Sequence, residues 1–390
     1  MILNTKGYAY NDVTIVPAKI SDITSRSECN PYIKNTELPI FTAPMASVVD
    51  DSNYNIFLQN KITPIIPRNI DIKTRILLMN KEIWVALSLR EFKDLFINNY
   101  KDRIDECCNH YHICVDIANG HMKSLYDKCL VAKIHASYNK YELTIMTGNI
   151  ANPETYKWIC NLNDTSDIKV IDYIRCGIGS GAGCITSSNT SIHYPMASLI
   201  DECYQIYKHY KNYTSKDICP EIIADGGIRN YSDVIKALAL GANYVMIGGL
   251  FSQCIESAGD KYSMNQLNKI DMRFNYNAWV EDSLRINENG EWFGHIKELK
   301  DEKYIGQLHV KFFGMASADG QKSISGRKTK TAEGITKMLP VKYKLSSWIE
   351  NMTSYLRSAM SYTNCKTLND FIGKQTLIPN SISEIQSVNK

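Results

Sequence analysis

Tyr173-Ile-Arg-Cys-Gly-Ile-Gly-Ser-Gly181, Glu221-Ile-Ile-Ala-Asp-Gly-Gly227 and Tyr244-Val-Met-Ile-Gly-Gly249 share one design, a short apolar run that breaks into glycines. Runs of this length read as buried strands, and the glycines as the tight turns that follow them. Five earlier runs have the same look: Pro39–Ala43, Thr63–Pro67, Trp84–Leu89, His112–Ile117 and Leu143–Thr147. Stretches with apolar residues at helical spacing separate the runs, such as Asn189–Lys208 and Asn230–Leu240, the latter with Asn230 placed to cap it. Strand and helix in alternation predict an α/β fold with a parallel sheet, and eight strands are the number that closes a (β/α)8 TIM barrel. A doubly wound sheet would put its glycine-rich turn after the first strand. Here such turns follow the sixth, seventh and eighth, where barrels place phosphate sites.

The rest of the chain arranges itself around that unit. The 390 residues are expected to form a single barrel domain with additions. Residues from about 259 to 308 are polar and aromatic, include Glu288-Asn-Gly-Glu-Trp292, and predict a hairpin-rich insertion near the rim. Residues from about 311 to 336 are dense in Gly, Ser and Lys and predict a mobile loop over the strand ends. Residues 343–362 regain helical periodicity through Leu345, Trp348, Ile349, Met352, Leu356 and Met360, and 365–390 read as a surface tail.

Lys and Arg number 44 against 41 Asp and Glu, with no long block of either sign, so the partner is expected to be a small molecule and neither a nucleic acid nor a membrane. The opening Met1–Tyr10 lacks the pattern of a secretory leader, and no apolar stretch has the length of a membrane helix. The expected compartment is the cytoplasm, where most of the 12 scattered cysteines would stay free and buried. Cys107, Cys108, His110, His112 and Cys114 invite a zinc reading, but adjacent cysteines lack ligand spacing, and a helix end running into a strand explains them better.

Chemistry concentrates in Gly177-Ile-Gly-Ser-Gly-Ala-Gly-Cys184-Ile-Thr186. A free buried thiol is the ordinary fate of a cysteine, but four alternating glycines directly after a strand serve no core. They let backbone groups approach a ligand and leave Cys184 on a tight turn as a candidate nucleophile, with Thr186 in reach of the same centre. The pairs Gly226-Gly227 and Gly248-Gly249 can turn amides toward a phosphate, although tight turns alone also use paired glycines. Asp225 can accept hydrogen bonds from ribose hydroxyls.

These motifs resemble the family of IMP dehydrogenase and GMP reductase. Ala43-Pro-Met45, Cys114-Val-Asp116-Ile-Ala-Asn-Gly120, Gly148-Asn149-Ile150, the cysteine loop, Asp225-Gly-Gly and Gly248-Gly249 occur in that family's order. The resemblance implies a barrel whose cysteine bonds to purine C2 while a nicotinamide stacks alongside. It is nearer the reductases. Only a short stretch separates Arg68-Asn69 from Trp84, where dehydrogenases usually insert a regulatory repeat pair, and residues 311–336 contain no Arg-Tyr pair of the kind that activates water. Phe313-Gly-Met315-Ala-Ser317, Ala332-Glu333-Gly334 and Arg357-Ser-Ala-Met-Ser361-Tyr362 look like reductase segments.

By that resemblance Cys184, Thr186 and Glu333 are catalytic, although a loop carboxylate would otherwise be read as solvated. Asp225, Gly226, Gly227, Gly248, Gly249, Met315, Lys330 and Gly334 would bind the nucleotide. Ser25, Arg26, Arg68, Asp116, Ser358 and Ser361 would lie along NADPH, some reaching it from a neighbouring subunit of a homotetramer. Carbonyls of Gly179, Gly181 and Cys184 would hold a monovalent cation, K+. The implied reaction is reductive deamination of GMP to IMP. The alternatives are oxidation of IMP to XMP with NAD, for which Arg327 and Tyr304 would have to replace the Arg-Tyr pair, and a nucleotide-binding barrel without turnover. Two departures stand out: Ala182 replaces a serine that usually meets the phosphate, and Ala46 follows Met45 where Asp is common.

Overall fold

The computed structural model describes residues 6–33, 36–98, 109–264, 270–274, 285–286, 292–293, 308–326 and 332–381, without side chains for 263–293. Eight parallel strands form one sheet: β1 (Ile40–Thr42), β2 (Ile65–Ile66), β3 (Trp84–Leu87), β4 (His110–Asp116), β5 (Glu142–Ile150), β6 (Tyr173–Cys176), β7 (Glu221–Asp225) and β8 (Tyr244–Ile247). β1 pairs with β8, Ile40 opposite Val245. A parallel bridge between Phe41 and Thr63 brings β1 to the chain entering β2, so the sheet closes into the expected barrel.

Period-two alternation sorts the side chains. Val85, Leu87, Ile113, Val115, Ile145, Ile222, Ala224, Val245 and Ile247 pack outward under the helices, while Trp84, Ala86, Cys114, Met146, Ile223 and Met246 form the separate inner cluster. Phe41, Trp84, Tyr173 and Tyr244 crowd that interior, with Phe41 5.6 Å from Trp84, 6.0 Å from Tyr173 and 5.0 Å from Tyr244. Two residues further along the same inward face stand Ala43, Arg175 and Met246, and Asp116 follows Cys114 in the same way. Aromatics thus plug one end, and the strand C-terminal ends present small and charged groups.

The helix at Tyr231–Leu240 is capped by Asn230, whose side chain accepts from the Asp233 amide. The stretch expected as one helix over 189–208 is two, Thr186–Thr190 and Met196–Tyr213, because Ser191 turns left-handed and Pro195 precedes the second. The closing helix, Leu345–Tyr362, buries Trp348 against Phe251 at 5.1 Å.

Two regions differ from expectation. The segment expected as a mobile loop carries regular structure among its described residues: Leu308–Phe313 and Thr336–Pro340 are antiparallel strands that flank a helix, Ala318–Ser325. Its serine and glycine content serves capping, since the Ser317 side chain accepts from the Gly320 amide and Gly326 ends the helix at φ 71°. With Lys261–Met264 and Ile270–Phe274 these strands make a four-stranded sheet, and in the insertion Arg285–Ile286 pairs antiparallel with Trp292–Phe293. The expected surface tail is partly core: Leu368 and Phe371 are buried, and Leu377–Pro379 pairs antiparallel with Val13–Ile15. Among the described residues no helix is long and apolar enough to cross a membrane.

Candidate active site

At the end of β6 the chain enters the glycine loop so close to β7 that a Cβ on Gly177, at φ +133°, would stand 2.2 Å from the Asp225 carbonyl. Only glycine fits there. The loop closes on itself as the Cys184 amide donates to the Gly181 carbonyl at 3.0 Å, and the Ser187 hydroxyl to the Gly179 carbonyl at 2.9 Å. Cys184 is partly exposed, whereas the nine other free cysteines among the described residues are buried. Burial pushes the Cys114 and Cys129 thiols up to about 12, which disables them as nucleophiles. No group of three His, Cys, Asp or Glu among the described residues could hold a metal ion. His110, His112 and Cys114 lie along β4, and Cys107 and Cys108 fall outside the described residues.

The segment after the Ala318–Ser325 helix lies directly against this loop. The Ile185 amide donates to the Glu333 carbonyl at 3.0 Å, and the Ile335 amide to the Gly183 carbonyl at 2.9 Å, so Cys184 and Gly334 face each other as an antiparallel bridge. That pairing fixes three side chains in a row. The Cys184 thiol donates to Thr186 Oγ1 at 3.2 Å, and the Thr186 hydroxyl to Glu333 Oε2 at 3.0 Å. A thiol, a hydroxyl and a carboxylate in one line can move a proton between the reacting centre and solvent.

A cavity of about 210 Å³ opens beside Cys184, lined by Met45, Asp225, the two glycine pairs, Met315 and Glu333. A second, of about 280 Å³, adjoins it through Cys184 and Glu333 and is lined by Arg68, Asp116, Asn149 and Thr186. The sequence reading missed the group that organises their shared wall. Arg175 Nη1 donates to Asp116 Oδ1 at 2.8 Å and its Nε to Asp225 Oδ2 at 2.9 Å, while Asn149 Nδ2 also donates to Asp225 Oδ2 at 2.7 Å. Burial disfavours the Arg175 charge, but the Asp225 and Asp116 carboxylates together outweigh it and hold the guanidinium protonated well above its usual range. Both of these donors meet Asp225 at Oδ2, and Asp225 lines the first cavity. Alternation along β6 was the available signal, since Arg175 follows the inward Tyr173 by two.

The remaining expected residues divide. Gly226, Gly227, Gly248, Gly249 and Met315 line the first cavity, though the Gly227 amide donates to the Ser180 carbonyl at 3.0 Å. Arg68 and Asp116 line the second, with Arg68 Nη1 donating to the Asp116 carbonyl at 3.2 Å. Ser25, Arg26, Ser358 and Ser361 line neither. They sit together where the Arg26–Glu28 turn meets the closing helix, and Arg26 Nη1 donates to Ser358 Oγ at 3.4 Å. Lys330, Arg327 and Tyr304 lie outside the described residues. Ala182 lines the first cavity and Ala46 does not.

Residues 96–272 match the family described as IMP dehydrogenase / GMP reductase domain. A relative from Caenorhabditis elegans named GMP reductase is 26% identical over 269 residues, 68% of this chain and 59% of its own length. One of that name from Staphylococcus saprophyticus is 26% identical over 379 residues, 93% of each chain. Another, from Helicobacter pylori, is 27% identical over 314 residues, 77% of this chain and 87% of its own. The chain thus spans about three fifths of the first of these relatives and nearly all of the second. The likeness to that family first seen in the cysteine loop holds, and all three relatives carry the reductase name.

Proposed function

We propose that this chain is a GMP reductase, converting GMP to IMP and ammonia at the expense of NADPH. The observation that carries the reading is the line Cys184, Thr186, Glu333 beside a cavity lined by two glycine pairs and Asp225. Purine C2 must become tetrahedral before its amine can leave, and sulfur both adds to such a carbon and departs from it readily. The Cys184 thiol adds across C2 and N3, its proton ending on the purine. Glu333 then delivers a proton through Thr186 to the amine, which leaves as ammonia and restores the C2–N3 double bond in a thioether-linked purine. NADPH, when bound, supplies the hydride that C2 takes up. Cys184 leaves with its bonding electrons and regains a proton from the ring, so the sum is GMP, NADPH and a proton giving IMP, NADP and ammonia.

Residues on the second cavity fit a dinucleotide in chemistry. Arg68 Nε is buried without a partner among the described residues, a cationic donor suited to a phosphate, and Asp116 lies beside it. The group of Ser25, Arg26, Ser358 and Ser361, exposed or half-buried, fits a more distant part of the same cofactor reached across a homotetramer interface in the cytoplasm. The carbonyls assigned to K+ are in part engaged, Gly179 by Ser187 and Gly181 by the Cys184 amide, so a cation would tighten a loop already closed, and no step runs through it. Hydrolysis of the thioether would give XMP, so a reductase must keep water from it, and residues 333–335, paired with the cysteine loop, are placed to take part in that closure.

The test is loss of NADPH absorbance on adding GMP, with ammonia released in equal amount. Formation of NADH and XMP from IMP would overturn the reading in favour of a dehydrogenase, and tight GMP binding without turnover on either cofactor would leave a binding protein. Asp225 offers a narrower check. Asp225→Ala would leave the buried Arg175 guanidinium short of a partner, so Asp225→Asn is the better variant. Its KM for GMP is expected to rise about tenfold or more with kcat changed less, because a ribose contact acts in ground and transition states alike. An unchanged KM would make the ribose assignment untenable.

A further inference from the structure

Position 182 poses a problem of charge. A nucleotide phosphate carries up to two negative charges, and the first cavity offers it glycine amides and the methyl group of Ala182, while Arg175, the one basic side chain lining it among the described residues, is already shared between Asp116 and Asp225. The Gly227 amide is taken by the Ser180 carbonyl. Ala182 lies among the remaining donors, its Cβ 3.5 Å from where a Cβ on Gly249 would stand. A cation reaches this spot from outside the barrel. Lys337 Nζ donates to the Ala182 carbonyl at 3.3 Å, and Lys337 shares with Gly181, Ala182 and Gly227 the wall of a third cavity of about 610 Å³.

Resting on the nucleotide reading above, we infer that Lys337 binds the 5′-phosphate of the substrate and so ties phosphate occupancy to the placement of Glu333. The ammonium has three donors and gives one to Ala182. The side chain is exposed, so its bond to a neutral carbonyl yields readily to a phosphate oxygen, a stronger acceptor. Lys337 is also the second residue of the strand that follows Glu333, opposite Phe312 in register, and the intervening Ile335 amide is already held by Gly183. A phosphate gripped at residue 337 therefore holds the far end of the short segment that positions Glu333 over Thr186. Binding energy from a part of the substrate that does not react is used to fix the group that does.

The experiment compares binding of GMP and of guanosine, by calorimetry, to the full chain, Lys337→Met and Lys337→Arg. Lys337→Met is expected to weaken GMP about tenfold or more while leaving guanosine unchanged, and Lys337→Arg to restore most of the loss. The affinity of the Met variant should also respond less steeply to salt. Equal weakening of GMP and guanosine would show a structural role, and undiminished GMP binding would show no role, either of which overturns the inference. Binding is read without turnover. A chain that binds GMP through Lys337 but yields no IMP therefore overturns the reductase reading alone, a chain indifferent to Lys337→Met overturns this inference alone, and an unaltered chain that binds neither GMP nor IMP overturns both.

Discussion

Cys184→Ala is expected to abolish conversion of GMP to IMP, a loss on the order of 10⁴-fold or more, while the folded variant keeps most of its affinity for GMP. On the proposed reading, removing the sulfur removes the covalent bond to purine C2. Binding would draw on other groups that stay in place: Asp225 for the ribose, the glycine amides and Lys337 for the phosphate, with Met45 and Met315 lining the cavity. The loop itself should survive the change, because the Cys184 amide rather than its thiol closes the turn onto Gly181. What is lost structurally is one thiol-to-hydroxyl contact to Thr186, a weak one. Two results would break this division of labour. A folded variant that no longer binds GMP would make the cysteine a binding group, and turnover near that of the unaltered chain would remove it from the chemistry.

The barrel was readable because its information is local. All eight strands begin or end within a few residues of apolar runs visible in the sequence, and the glycine turns after β6, β7 and β8 do lie around one cavity. What escaped depends on distance. Nothing in Val13–Ile15 or Leu377–Pro379 announces that these two short strands pair, since each is too brief to show a period and their partners lie at opposite ends of the chain. In residues 311–336 the helix and the flanking strands escaped for a related reason. Gly and Ser dominate both flexible loops and capped turns, and only the pairing of Ile185 with Glu333 and of Ile335 with Gly183 separates the two. Arg175 and Lys337 were missed because a charged residue inside a strand reads as an interruption until the ends of neighbouring strands show what surrounds it.

Glu333→Gln is the second expected loss, at least ~100-fold in formation of the thioether-linked purine from GMP, the usual scale of general-acid catalysis. Glutamine keeps the size of the side chain and can still meet the Thr186 hydroxyl, so the relay of contacts survives while the proton it should deliver does not. The carboxylate is placed by backbone rather than by its own contacts. The Glu333 amide donates to the Ala316 carbonyl at 3.1 Å and its carbonyl accepts from Ile185, and neither bond involves the side chain. A change at Oε2 should therefore leave Cys184 where it is. Running the reaction backward separates the steps: IMP and NADP form the thioether by thiol addition and loss of hydride, before ammonia is needed. Hydride transfer from IMP is expected to persist in part in Glu333→Gln, whereas ammonia-dependent formation of GMP should fail with the forward deamination. Equal loss in both halves would reduce Glu333 to a positioning residue for the cysteine loop, and full activity in both would remove it from the mechanism. The backbone pairing sharpens the distinction, because a residue that acted only through that pairing could be replaced by glutamine at no cost to either half.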